Sequence, residues 1–224
     1  MSIGHSAGPE KKPARRKAGR PLDAAKRAAI VDTAAQHFFH HGYAATAIEQ
    51  IAADAGVSKV TIYNQFGDKR ALFTAAVEWE CEKIRGHFSL EDGARGSIRE
   101  RLADIGQAIC AFLSRPEMLR FERRIAAETE GDPSLGAAFL EAGPWRMKQA
   151  FGAWLARETG AGELSIADPM LAAEQFVSMC KGMGDLERRF AVSVSTLERD
   201  RRIVGAVDVF LAAYGLRCGR NEHR

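Results

Sequence analysis

The sequence predicts an all-α protein in two parts: an N-terminal three-helix head and a larger C-terminal antiparallel helical bundle. Three observations predict it. Apolar residues recur at helical spacing from about residue 23 to about residue 216, and no segment shows the strict alternation of a strand. Two short helical patterns meet at one glycine, Gly56, early in the chain. Finally, 224 residues with 46% apolar content can bury one large core or two modest ones, and the early position of that helix pair favours two. The expected boundaries are a basic arm over 1–21, a head over 22–67, a bundle over 68–218 and a tail over 219–224. The first helix of the bundle, 68–86, connects it to the head.

The first helix is expected from Asp23, a good N-cap, to His41, with Ile30, Ala34 and Phe38 facing inward and Gly42 ending it. His37 and His41 have the spacing of a metal-binding pair, but no third ligand is evident. Histidines in a last turn also suit the negative end of a helix dipole. Thr46 and Glu49 read as a T-x-x-E capping box opening the second helix, whose apolar face is Ile48, Ile51, Ala52 and Ala55. Gly56 supplies the left-handed residue for a sharp turn, and Ser58 caps a third helix held by a Val57–Ile62 staple. Lys59, Val60, Thr61, Tyr63 and Asn64 then face outward, as in a helix lying in a major groove. The next helix starts near Asp68 and runs past Trp79.

Beyond a 89–97 loop, helices are expected over about 98–115 and 117–130. A turn at Gly131-Asp132-Pro133 and an N-cap at Ser134 lead into a long helix over 134–159, with a possible kink at Gly143-Pro144. The last two helices cover about 168–184 and 196–216. Their apolar residues include Met183, Val207, Phe210, Leu211 and Tyr214, a wide surface that either completes the chain's own core or pairs with a second copy as a four-helix interface. Gly182, Gly184 and Gly205 would allow close approach there.

Charge is unevenly spread. Residues 1–22 carry a net +5 within a total of +3, so a basic arm precedes a slightly acidic body. Such an arm is either a solvating tail or a polyanion contact, and Arg20, between Gly19 and Pro21, has the slim setting of a minor-groove reader. No apolar run approaches the roughly eighteen residues needed to span a bilayer, which leads us to expect a cytoplasmic protein without a membrane partner. Cys81, Cys110, Cys180 and Cys218 form no C-x-x-C pair and read as reduced thiols, with no metal site and no cofactor called for. No H-E-x-x-H, G-x-x-x-x-G-K or G-x-G-x-x-G motif is present, and the expectation is that the protein is not an enzyme.

The head resembles that of the TetR family of bacterial transcriptional repressors. The resemblance runs over about 22–80 and rests on Phe38, Gly42 and Tyr43, then Thr46, Ile51-Ala52, Ala55 to Ser58, Tyr63, Phe66, Lys69 and Leu72. Val60 stands where the family has glycine, His37 where leucine is common and Arg70 where glutamate is common. The order of residues 117–180 is similar to regulators grouped with efflux-pump repressors. The resemblance implies a homodimer on double-stranded, palindromic operator DNA. It places Thr46, Tyr63 and Lys69 on phosphates, Lys59, Val60 and Thr61 at base edges, and Ser58 and Asn64 at either; Tyr63 could instead pack on the first helix. It also implies a cavity for a small apolar effector, among aromatic and apolar residues that on spacing alone read as core: Phe112, Phe121, Trp145, Phe176 and Met179. The alternative is an effector-independent architectural DNA-binding protein.

Overall fold

The computed structural model describes residues 21–85 and 96–216. The expected basic arm with Arg20, most of the 89–97 loop, Cys218 and the 219–224 tail lie outside them. Ten helices are described: α1 (Pro21–His41), α2 (Ile48–Asp54), α3 (Lys59–Phe66), α4 (Lys69–Arg85), α5 (Ile98–Leu113), α6 (Pro116–Gly131), α7 (Pro133–Ala142), α8 (Pro144–Gly160), α9 (Pro169–Arg189) and α10 (Thr196–Tyr214). None of the described helices is long and apolar enough to cross a membrane.

Local chemistry accounts for most ends. Gly42 (φ 87°) and Gly56 (φ 63°) adopt the left-handed conformation that lets α1 and α2 stop sharply. Ser58 Oγ accepts from the Thr61 amide at 3.1 Å and caps α3, and Asp68 accepts from the Ala71 amide at 2.7 Å at the start of α4. α1 begins at Pro21, two residues before the expected Asp23 cap. α2 is not opened by the Thr46–Glu49 box. Its cap is Ala47, which has no side chain to bond an amide, because Thr46 turns inward and donates to the Gly42 carbonyl at 2.6 Å.

The long helix expected over 134–159 is two helices. Gly143 leaves helical geometry (φ −122°, ψ −88°) and Pro144 opens α8 at N1, where its missing N–H costs nothing. Asp132 rather than Ser134 holds the cap position of α7. α9 continues to Arg189 rather than stopping near 184, although Gly182 (φ 46°, ψ −149°) breaks its regularity. A Cβ at Gly182 would sit 2.8 Å from Arg202 Cδ, and one at Gly184 would collide with the Arg202 guanidinium. These two glycines make room for a side chain of α10, not for a second subunit. Gly205 alone has open space beside it.

Two cores result. One joins the head helices to α6 and α7 through Phe38, Phe73, Phe121, Ile125 and Leu135; the other joins α5, α8, α9 and α10 through Leu102, Trp154, Phe176, Ile203 and Phe210. The head is therefore not an independently closed unit. Phe121 of α6 stacks on Phe39 of α1 with ring centroids 4.0 Å apart.

Candidate nucleic-acid interface and effector cavity

α3 presents one face to its own domain and the other to solvent. Ile62 is buried, whereas Ser58, Lys59, Val60, Tyr63 and Asn64 are exposed and Thr61 is half-buried. This is the division a groove-reading helix needs, with an apolar anchor behind and varied polar reach in front. The Lys59 ammonium is not idle in the free protein: it pairs with Glu49 of α2 and lies 5.7 Å from the Tyr63 ring centroid. That bond raises the Lys59 pKa and lowers the Glu49 pKa. Both groups are solvated, so the pair is weak and can open when DNA arrives.

Two expected phosphate contacts are modified by the geometry. Thr46 is 3% exposed and its hydroxyl is bonded to the Gly42 and His37 carbonyls, so its side chain fastens the α1–α2 corner and cannot reach a phosphate. Lys69 is half-buried, donates to the Ala44 carbonyl at 3.2 Å and lies 4.6 Å over the Tyr43 ring; burial lowers its pKa. It must swing out to meet a phosphate. Arg27 of α1 is exposed and lies 4.8 Å over the Phe66 ring at the far end of α3. His37 Nε2 meets Asp54 Oδ2 at 2.8 Å, tying α1 to α2.

α6 clamps this head. Arg124 donates to the His40 carbonyl, and Glu128 Oε2 accepts from the Ala44 amide at 2.9 Å. Arg70 pairs with Asp132 and donates to Ser134 Oγ at 2.6 Å, fixing the start of α4 to the α6–α7 turn. A glutamate at position 70 would face Asp132 and lose this tie.

Between the two cores lies a cavity of about 410 Å³. Its walls come from α1 (Phe39), α4 (Val77, Cys81), α5 (Ile109, Phe112), α6 (Met118, Glu122), α7 (Phe139), α8 (Trp145, Phe151) and α9 (Val177, Lys181). Of the five residues expected to line it, Phe112 and Trp145 do. Phe121 is spent in the head junction, Phe176 is fully buried behind Phe151 against Phe210, and Met179 packs into the second core. Each of these three faces a helix partner that sequence spacing does not reveal. The polar groups are few. Lys148 pairs with Glu174 at 3.0 Å and Lys181 with Asp185 at 3.4 Å, whereas Glu122 makes no hydrogen bond or ion pair among the described residues. Burial raises the Glu122 pKa against the pull of Lys181. Burial also pushes the Cys81 thiol up to about 11 and Cys180 to about 12, so neither is a ready thiolate.

The expected dimer residues divide sharply. Val207 (1% exposed) and Phe210 (0%) are core of their own chain, because α10 packs that face on α5 and α9. Leu211 and Tyr214 are half-buried, Tyr214 donating to Gln175 Oε1 at 2.7 Å, and only Met183 is well exposed.

Two family models match the chain: bacterial regulatory proteins of the tetR family over residues 30–76, and the AefR-like transcriptional repressor C-terminal domain over residues 100–216, about half of the chain. The chain belongs to the TetR family of transcriptional regulators. The regulator is 28% identical over 149 residues to an uncharacterised HTH-type transcriptional regulator, YezE, of Bacillus subtilis, covering 65% of this chain and 76% of that one. A crystal structure described as that of a TetR-family transcriptional regulator from Mesorhizobium loti superposes with a TM-score of 0.72 at 31% identity, covering 87% of this chain and 98% of that one. The flavonoid-responsive regulator FrrA gives a TM-score of 0.70 at 30% identity, over 87% and 100% of the two chains. The regulator is thus a DNA-binding protein and not an enzyme, and ligand-responsive repression is the typical mode of its family.

Proposed function

We propose that this regulator is a homodimeric repressor that holds a palindromic operator through two copies of α3 and releases it when a small, largely apolar, hydroxylated aromatic molecule enters the central cavity. The observation that carries this reading is the cavity's position. Phe39 of α1 and Met118 and Glu122 of α6 bound it, so an occupant touches the two helices whose contact orients the head. Aromatic rings of Phe112, Phe139 and Trp145 suit a flat ligand, and the Glu122 carboxyl, which has no partner among the described residues, can accept from a ligand hydroxyl. The likeness to a flavonoid-responsive relative supports that ligand class. The cavity argues against the effector-independent, architectural alternative. For the dimer, Met183 and Leu186 of α9, Phe190 just after it, and Leu197 and Val204 of α10 are exposed apolar residues, and we assign the subunit contact to them. Repression of a gene places the protein's work in the cytoplasm.

The test is a linkage measurement. With DNA from upstream of the regulator's own gene as operator and quercetin as probe, quercetin affinity is measured with and without operator. The two ligands should weaken each other by one common factor of roughly 5 to 150. Quercetin that binds in the cavity equally well with and without operator would remove the mechanism.

A further inference from the structure

We propose that a second pocket, between the start of α6 and the α9–α10 turn, binds the carboxylate or phosphate group of a small molecule. It is a concavity of about 410 Å³ on the opposite side of α6 from the central cavity, and four arginines line it: Arg120, Arg123, Arg188 and Arg199. No carboxylate is among the described residues that line it. Ser114 and Ser193 add hydroxyls, and Leu119 and Val192 add apolar wall for the rest of a ligand.

Arg188 is the decisive group. It is 8% exposed, and its Nε and Nη2 are buried without a hydrogen-bond partner. Asp185 Oδ1 stands 3.6 Å from Nη2, too far for a hydrogen bond, and the same carboxylate also faces Lys181 at 3.4 Å and Arg189 at 3.2 Å. Its charge is therefore shared three ways. Arg120 has no partner among the described residues, and Arg199 Nε is 3.4 Å from Asp200. A buried guanidinium with free donors is expensive to keep, and its planar fork matches a carboxylate or phosphate. The turn that completes the pocket is itself held in an unfavourable shape. Ala191, one of its lining residues, has φ 61°, a left-handed conformation that a residue with a Cβ adopts at a cost. Arg123 braces that turn by donating to the Arg188 carbonyl at 2.6 Å.

The full-length protein is titrated calorimetrically with inorganic phosphate and with hexanoate, each against sodium chloride at equal ionic strength. At least one of the two anions should bind where chloride does not; phosphate alone would mark a phosphate ester as the natural ligand, and hexanoate alone an organic acid. Arg188→Gln and Arg120→Gln should each weaken that binding by about tenfold or more. Arg120 is exposed, so its variant carries the test if Arg188→Gln does not fold. Two results overturn the proposal. One is no heat beyond the chloride control for either anion. The other is an Arg120→Gln protein that binds the anion normally but has lost its dimer mass in light scattering, which would give the arginines to a partner subunit's carboxylates.

Discussion

Lys59 begins the recognition helix with its ammonium on Glu49, a solvated pair that exchange for a guanine edge can replace. Lys59→Ala should relax preference at one base position per half-site by ~1 to 3 kcal/mol, and a binding-site selection that returns an unchanged motif would remove Lys59 from base reading. Thr46 belongs to a different class of residue. Its buried hydroxyl donates to the Gly42 carbonyl at 2.6 Å, with the His37 carbonyl at 3.2 Å, so Thr46→Val should lower the stability of the folded protein by ~1 to 3 kcal/mol in urea titrations while leaving the salt dependence of DNA binding at its original slope. A lowered slope with unchanged stability would restore Thr46 as a phosphate contact. Glu122 titrates against its surroundings. Because burial raises its folded-state pKa above the unfolded value, its penalty is absent below the ordinary carboxyl range and grows as pH rises through the raised value. Glu122→Gln should accordingly raise the melting temperature at pH 7 and change it little at pH 4. An equal effect at both values would mean that the carboxyl is not strained by burial.

α10 shows how one helix serves two masters. Ile203, Val207 and Phe210 face its own core, where Phe210 meets Phe176 edge-on at 5.2 Å, while Leu197 and Val204 face solvent. Charge on the two faces should have opposite outcomes. Phe210→Arg is expected to unfold the protein, since a large buried ring is replaced by an unpaired buried charge at a cost of several kcal/mol, on the order of 3 to 5. Val204→Arg should leave helical circular dichroism intact and halve the mass seen by light scattering. A Val204→Arg protein of full dimer mass would move the subunit contact off this face. Helical spacing alone does not say which apolar residues of α10 turn inward; that depends on where α5 and α9 lie.

Across the molecule, α6 offers a route from cavity to head beside the connecting helix α4. α6 borders the cavity through Met118 and Glu122 and grips the head through Phe121, Arg124 and Glu128 within three further turns. Gly42 is fitted to that grip: its φ of 87° suits glycine, and a Cβ there would stand 2.6 Å from Glu128 Oε1. Arg124→Ala removes the bond to the His40 carbonyl without touching cavity or DNA surface. It should reduce the effector–operator coupling by about 1 kcal/mol while operator affinity of the free protein stays within a factor of about two. Unchanged coupling would route the signal through α4 instead.

Helix starts and stops were legible where they are decided within a few residues. Gly42, Gly56 and Ser58 end or open helices by their own backbone and side-chain chemistry, and the outward face of α3 follows once Ile62 is assigned inward. The head's identity followed from that local pattern. Partners far along the chain were not legible. Thr46 reads as a cap until the Gly42 carbonyl is seen to claim its hydroxyl, and Arg70 is an anomaly until Asp132 folds against it. An apolar helix face says that something will cover it and leaves open what: Phe176 and Phe210 cover each other, Phe121 is covered by Phe39 of the head, and Trp145 remains half open to a cavity. Burial is a property of the packed assembly of helices, and the hydrophobic effect that drives it is non-directional. Periodicity therefore sets which residues share a face, and the packing of ten helices sets what that face meets.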